Sequence, residues 1–171
     1  MNRWLTNIFF LMIIGLSLFY FWPETKLDST KPIDKIVVLK SERELKVYSN
    51  NQILKTYKIS LSKQASGKKR VEGDAKTPEG IYTINDKNRN SKFYLNLGIS
   101  YPNAQDRKYA KSIGESPGGA IKIHGIRNGY GWIGKFHRFV DWTNGCIALT
   151  NSEIEELYNS VSIGTSIEIK P

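Results

Sequence analysis

The 171-residue sequence contains one cysteine, two histidines and six prolines. A single cysteine excludes a disulfide-stapled scaffold and any zinc-ribbon spacing. With few prolines, 40% hydrophobic residues and 12% aromatics, the chain is neither disordered nor of low complexity, and its length fits one domain. Charge is absent from one long stretch: Arg3 is followed by twenty uncharged residues, Trp4 to Pro23, before Glu24. Twenty helical residues rise about 30 Å, the thickness of the hydrocarbon layer of a bilayer. Trp4, Tyr20 and Trp22 stand at the ends of the stretch, where interfacial aromatics sit. The exit Phe19-Tyr20-Phe21-Trp22-Pro23 offers no pair of small residues for a signal peptidase, so a retained anchor is expected, with a cleaved leader as the alternative. Arg3 on the short side orients the N-terminus to the cytoplasm and the rest of the chain outside it.

With Arg3 set aside, 24 basic residues stand against 16 acidic ones, a net +8 for the exported part. The basic residues are scattered, and Ser62 to Arg70 (SKQASGKKR) is the one cluster. An exported domain of this charge meets an anionic wall polymer or membrane surface, and the topology excludes nucleic acid.

The organisation expected is an anchor over 1–23, a polar tether over 24–35 and a folded domain over 36–171. Ile36 to Leu39, Leu45 to Tyr48 and Ile53 to Leu61 read as strands that open a β-meander, with Asn50-Asn51 as the turn between the second and the third. Gly80 to Ile84, Phe93 to Ile99, Ala120 to Ile123 and Ile167 to Ile169 continue the pattern. Asn103 reads as the cap of a helix running to Ile113. Thr150-Asn151-Ser152-Glu153 has the form of a capping box, followed by Ile154, Leu157, Tyr158 and Val161 at helical spacing. The fold class is therefore mainly β with two or so short helices, preceded by one transmembrane helix.

An unpaired cysteine on the exported side is either inert in the core or reactive. Cys146 lies in Asp141-Trp142-Thr143-Asn144-Gly145-Cys146-Ile147-Ala148, with a glycine just before it and an apolar strand-like run just after it. The glycine lets the backbone N–H groups of Gly145 and Cys146 turn toward a bound carbonyl, as an oxyanion hole requires. His124 ends the apolar stretch Ala120-Ile121-Lys122-Ile123 and precedes Gly125. An imidazole that accepts the thiol proton turns cysteine into a working nucleophile. A buried structural thiol with a surface histidine is the alternative.

These blocks resemble the L,D-transpeptidases with a YkuD-like catalytic domain, which cross-link or trim bacterial peptidoglycan. The resemblance rests on Ile123-His124-Gly125, on Thr143-Asn144-Gly145-Cys146 with 22 positions from His124 to Cys146, on Thr77-Pro78-Glu79-Gly80-Ile81-Tyr82, and on the closing Gly164 to Ile169. It covers about Ile36 to Pro171 and implies an L,D-transpeptidase-like β-sandwich. It implies Cys146 as acyl-enzyme nucleophile and His124 as general base, with the Gly125 carbonyl orienting the imidazole and Gly145 and Cys146 as oxyanion donors. Thr143, Asn144 and Trp142 are candidates to meet substrate, with Thr143 more a support of its turn, and Arg127, in the loop just after His124, is the cation expected to meet a substrate carboxylate. Tyr130, Trp132, Phe136 and Phe139 with Gly129, Gly131 and Gly134 suit a substrate wall or lid, and His137 among them reads as a surface residue rather than a second catalytic histidine.

Ala148 and Asn144 stand where many members of that family carry Arg and His. The run Asp-Trp-Thr-x-Gly-Cys-Ile-Ala is similar to a narrower branch of murein transpeptidases and hydrolases. The expected activity is acyl transfer on peptidoglycan stem peptides, with murein hydrolysis as the alternative outcome and a catalytically idle wall-binding module as the alternative from another class. Neither metal nor cofactor is implied, and the membrane is expected as a partner through the N-terminal helix.

Overall fold

The structure is a computed structural model that describes residues 3–171. Helix α1, Arg3–Phe21, is apolar on every face, has no buried residue and is long and apolar enough to cross a membrane. The strands that follow are β1 (Lys35–Leu39), β2 (Glu44–Ser49), β3 (Gln52–Lys58), β4 (Gly80–Ser91), β5 (Tyr94–Ile99), β6 (Lys122–His124), β7 (Ile147–Ala148) and β8 (Ser166–Lys170). Helix α2 (Ala104–Ser112) lies between β5 and β6, and α3 (Asn151–Ser160) lies between β7 and β8. A 3₁₀ segment, Gly131–Phe139, here called the strap, joins β6 to β7.

The strands form one mixed sheet in the order β3-β2-β1-β8-β4-β5-β6-β7. Only β1 with β8 and β6 with β7 are parallel; the other neighbours are antiparallel. The twelve-residue β4 joins two halves, its Gly80–Thr83 stretch pairing with β8 and its remainder with β5. Register shifts after Ile84 and Asn88 bend it. Past β3 the chain leaves β2 and crosses to the far edge, where Ser60 exchanges backbone hydrogen bonds with Ala148. The sheet thereby folds over a shared core, in which Ile36, Leu45, Ile59, Leu61, Ile84, Leu97, Ile123, Ile147, Ile154 and Leu157 are fully buried. Each such side chain contributes roughly 1.5–3 kcal/mol of transfer free energy.

The mainly β architecture with two short helices behind an apolar N-terminal helix is as expected. Both caps are present: Asn103 accepts from the Asp106 N–H, Thr150 accepts from the Glu153 N–H, and each helix returns the bond from its third residue. Three local differences have physical reasons. The strand expected over Ala120–Ile123 begins only at Lys122, because Ala120 sits at φ +56° in the left-handed region. The strand expected to reach Leu61 ends at Lys58, because Ser60 and its neighbours pair with a different strand. In the segment expected as a tether, Leu27 and Ile33 are buried with the core.

Candidate active site

β6 and β7 position the candidate residues. Ile123 and Ile147, paired across the two parallel strands, both point into the core. Side chains alternate along a strand, so Lys122, His124 and Cys146 share the opposite face. That face is the floor of a cleft of about 880 Å³, which Cys146, His124, Lys122, Thr143, Asn144, Trp142 and Arg127 all line.

His124 is 5% exposed and is held on three sides. Phe93 packs on its ring at 4.6 Å between centroids, and Trp142 meets it edge-on at 5.6 Å. Its Nδ1 lies 2.7 Å from the Gly125 carbonyl oxygen. A carbonyl only accepts, so Nδ1 carries the proton and Nε2 keeps a lone pair. Burial holds the imidazole below its usual pKa, against the opposing pull of that hydrogen bond, and keeps the ring neutral. Gly125 is needed for space: a Cβ there would come within 2.8 Å of Asn151 Oδ1 and 3.1 Å of the Phe93 carbonyl. The Asn151 side chain meanwhile accepts from the Ile126 N–H at 2.9 Å, tying the loop after β6 to the start of α3.

Cys146 is partly buried, and its thiol faces the Ala120 carbonyl at 3.7 Å. Burial pushes the thiol pKa up, while the Lys122 backbone N–H and the Lys122 and Lys69 charges pull it down in part. Both shifts favour the neutral forms, a thiol and an imidazole that line the same cleft. The turn before it is tight: Thr143 Oγ1 donates to the Cys146 carbonyl at 2.7 Å and accepts from the Gly145 N–H at 3.3 Å. Gly145 sits at φ +130°, and a Cβ there would meet the Lys76 carbonyl at 2.9 Å. Thr143 therefore supports the turn, and the Gly145 N–H points to Thr143 rather than to the cleft.

His137 corrects an expectation. It is 5% exposed, not a surface residue, because Ser60 arrives from the other side of the folded sheet. The Ser60 hydroxyl donates to the His137 carbonyl at 2.7 Å and lies 3.1 Å from Nδ1. Trp142 Nε1 approaches the same Nδ1 at 3.4 Å. An indole N–H only donates, so Nδ1 is the acceptor and the proton of the neutral ring resides on Nε2. Burial, with Arg138 and His124 nearby, lowers the His137 pKa to about 4.

Sequence reasoning did not find the opposite wall of the cleft. Asn88, Asn90, Ser91, Lys92 and Phe93 come from the β4–β5 hairpin. The run of asparagines between two strands was the available signal, yet only β5 pairing with β6 brings it beside His124. Arg127 is exposed, with its guanidinium 5.9 Å from the Tyr130 ring centre. Lys122 Nζ lies 3.4 Å from Asn96 Oδ1 and 3.8 Å from Asp86 Oδ2. Ala148 is fully buried. Among the described residues no three His, Cys, Asp or Glu side chains gather as a metal site.

Residues 33–169 match the YkuD family, the L,D-transpeptidase catalytic domain. YafK of Escherichia coli (strain K12) is 31% identical over 154 residues, covering 79% of this chain and 54% of YafK. YqjB of Bacillus subtilis (strain 168) is 29% identical over 165 residues, covering 94% of this chain and 84% of YqjB. Both carry provisional L,D-transpeptidase names. The helical cell shape determining protein Pgp2 of Campylobacter jejuni superposes with a TM-score of 0.61 at 25% identity, covering 82% of this chain and 48% of Pgp2. The chain thus spans about half the length of YafK and of Pgp2.

Proposed function

This chain belongs to the family of L,D-transpeptidase catalytic domains, and from that premise we propose that it is a cysteine acyl-transfer enzyme acting on peptidoglycan stem peptides outside the cytoplasm. The observation that carries the reading is the His124 tautomer. With Nδ1–H held by the Gly125 carbonyl, Nε2 is a base on the same face of the sheet as the Cys146 thiol.

Cys146 Sγ attacks an amide carbonyl of the stem peptide while His124 Nε2 takes its proton, since neither group is charged at rest. The oxyanion of the tetrahedral intermediate is received by the Cys146 N–H; the Gly145 N–H, turned toward Thr143, is not assigned to it. The imidazolium then protonates the leaving amine, the C–N bond breaks and a thioester remains on Cys146. A second amine, or water, attacks the thioester, His124 accepts the nucleophile's proton, and the thiol is released. Trp142 and Phe93 hold the imidazole in place and exclude water from one side of it. Arg127 and Lys122 supply the cations for a stem-peptide carboxylate, because the buried methyl of Ala148 offers none. Asn144 lines the same cleft as a polar contact for the peptide backbone.

Helix α1 serves as the membrane anchor, with residues 36–171 as the catalytic domain and 24–35 leading into it. A role in wall architecture and cell shape accords with the name of Pgp2. Hydrolysis is the competing outcome of the same thioester. Incubating the purified protein with a disaccharide-tetrapeptide and, separately, with a cross-linked dimer tests both readings: new dimer from tetrapeptide marks a transpeptidase, and loss of supplied dimer marks a hydrolase. Absence of either product in both arms would overturn the proposal.

A further inference from the structure

The strap is fastened to the end of α1 by apolar and ionic contacts together. Phe19 stacks on Phe139 at 5.2 Å and on Phe136 at 6.0 Å, and Tyr20 packs on Phe136 at 5.2 Å. Tyr20 Oη donates to the Trp132 carbonyl at 2.7 Å. Gly134, at φ +50° in the middle of the strap, has a vacant Cβ position only 2.8 Å from the Tyr20 ring, so the approach requires a glycine. Lys135 donates to the Trp22 carbonyl and pairs with Glu24 at 3.2 Å. Arg138 spans from Glu24, at 3.0 Å, to Glu153 at the start of α3, at 2.7 Å.

These contacts fix a depth. Phe19 to Trp22 form the aromatic end of the apolar helix, the level at which hydrocarbon gives way to headgroups. Strap residues stacked on Phe19 are therefore at that level too. The strap nonetheless leaves Trp132 72% and Phe139 63% exposed, as is Val140 just after it at 65%, while Phe21 and Trp22 at the helix end are exposed too. A patch of this kind needs a partner. On the reading of α1 as a membrane anchor, we propose that the strap is a second membrane contact: its exposed apolar face lies in the headgroup–acyl boundary of the bilayer that α1 crosses. The occupant is lipid rather than another protein because Phe136 and Phe139 stack directly on Phe19, a residue of the segment itself in lipid, and a partner protein would have to enter that layer to reach them. Phe136 and Val140 also line the cleft, so one wall of the cleft rests on the membrane surface and the cleft opens at headgroup level.

Site-directed spin labelling tests this in the full chain. Cys146→Ala removes the sole cysteine, and single cysteines are then introduced by Trp132→Cys, Val140→Cys, Ile14→Cys and Ile163→Cys. Ile163 follows the end of α3 remote from Arg138, about 15 Å away along the helix. In proteoliposomes of phosphatidylethanolamine and phosphatidylglycerol, nitroxides at 132 and 140 should collide with oxygen several times more, relative to a water-soluble nickel complex, than a nitroxide at 163. The label at 14 should read as the deepest. Lipid at 14 with water at 132 and 140 would overturn the strap contact while leaving the anchor standing. Water at 14 would overturn the anchor, and the strap contact with it.

Discussion

The two histidines line one cleft and are equally buried, yet their ring nitrogens have opposite roles. His124 donates from Nδ1 to the Gly125 carbonyl, which leaves the lone pair on Nε2. His137 accepts at Nδ1 from the Trp142 indole, which locks its proton on Nε2, an atom without a hydrogen-bond partner among the described residues. Burial keeps both rings neutral. The neighbour of one nitrogen, a carbonyl in one case and an indole N–H in the other, decides whether the ring can take a proton from a thiol. His137 meets Trp142 edge-on, and the Trp142 ring in turn lies against His124.

Breaking the first member of this pair should cost most. His124→Ala removes the proposed base and should lower the turnover rate by roughly 10²–10⁴-fold with the fold intact, as steady-state kinetics and circular dichroism would show. Because base and nucleophile act as one unit, adding Cys146→Ala to His124→Ala should reduce activity no further than Cys146→Ala alone. His137→Phe should lower turnover only about tenfold, the worth of one hydrogen bond that positions Trp142, and Trp142→Phe should do the same. Equal losses at 124 and 137 would erase the distinction between them.

The next effect is on stability. In the unfolded chain His137 protonates near its ordinary value of 6.5, whereas in the folded protein it does so only at about 4. The unfolded state thus binds the extra proton, and stability present above pH 6.5 is lost as the pH falls toward 4, by on the order of 3 kcal/mol. His124, lowered in the same direction, adds to the loss. Urea titrations across that window should show it, and His137→Gln should flatten the curve. The smallest effect concerns the thiol. With its pKa pushed up, Cys146 should be alkylated by iodoacetamide slowly at neutral pH, and the rate should still be rising above about pH 8.5. A plateau near neutrality would instead indicate a preformed thiolate.

What the sequence disclosed, it disclosed through local rules. Asn103 and Thr150 mark their helices because a capping box is complete within four residues. His124-Gly125 and Gly145-Cys146 are legible because each places its chemistry beside a glycine at a strand end. What stayed hidden depends on distant chain. His137 becomes buried only when Ser60, 77 residues earlier, crosses to β7. The Phe93 wall forms only once β5 pairs with β6. Leu27 and Ile33 are isolated apolar residues in a polar stretch and carry no period that would assign them to the core. The strap reads as a Gly- and aromatic-rich loop, since short 3₁₀ turns leave no periodic signature.

The central claim is that Cys146 carries the acyl group and His124 delivers its proton. Intact-mass measurement of the protein quenched during incubation with a disaccharide-tetrapeptide donor tests it most directly. The account predicts a thioester adduct localised to Cys146 by peptide mapping, absent in Cys146→Ala and formed far more slowly in His124→Ala. An adduct on another residue, or donor turnover by Cys146→Ala at the wild-type rate, would contradict it.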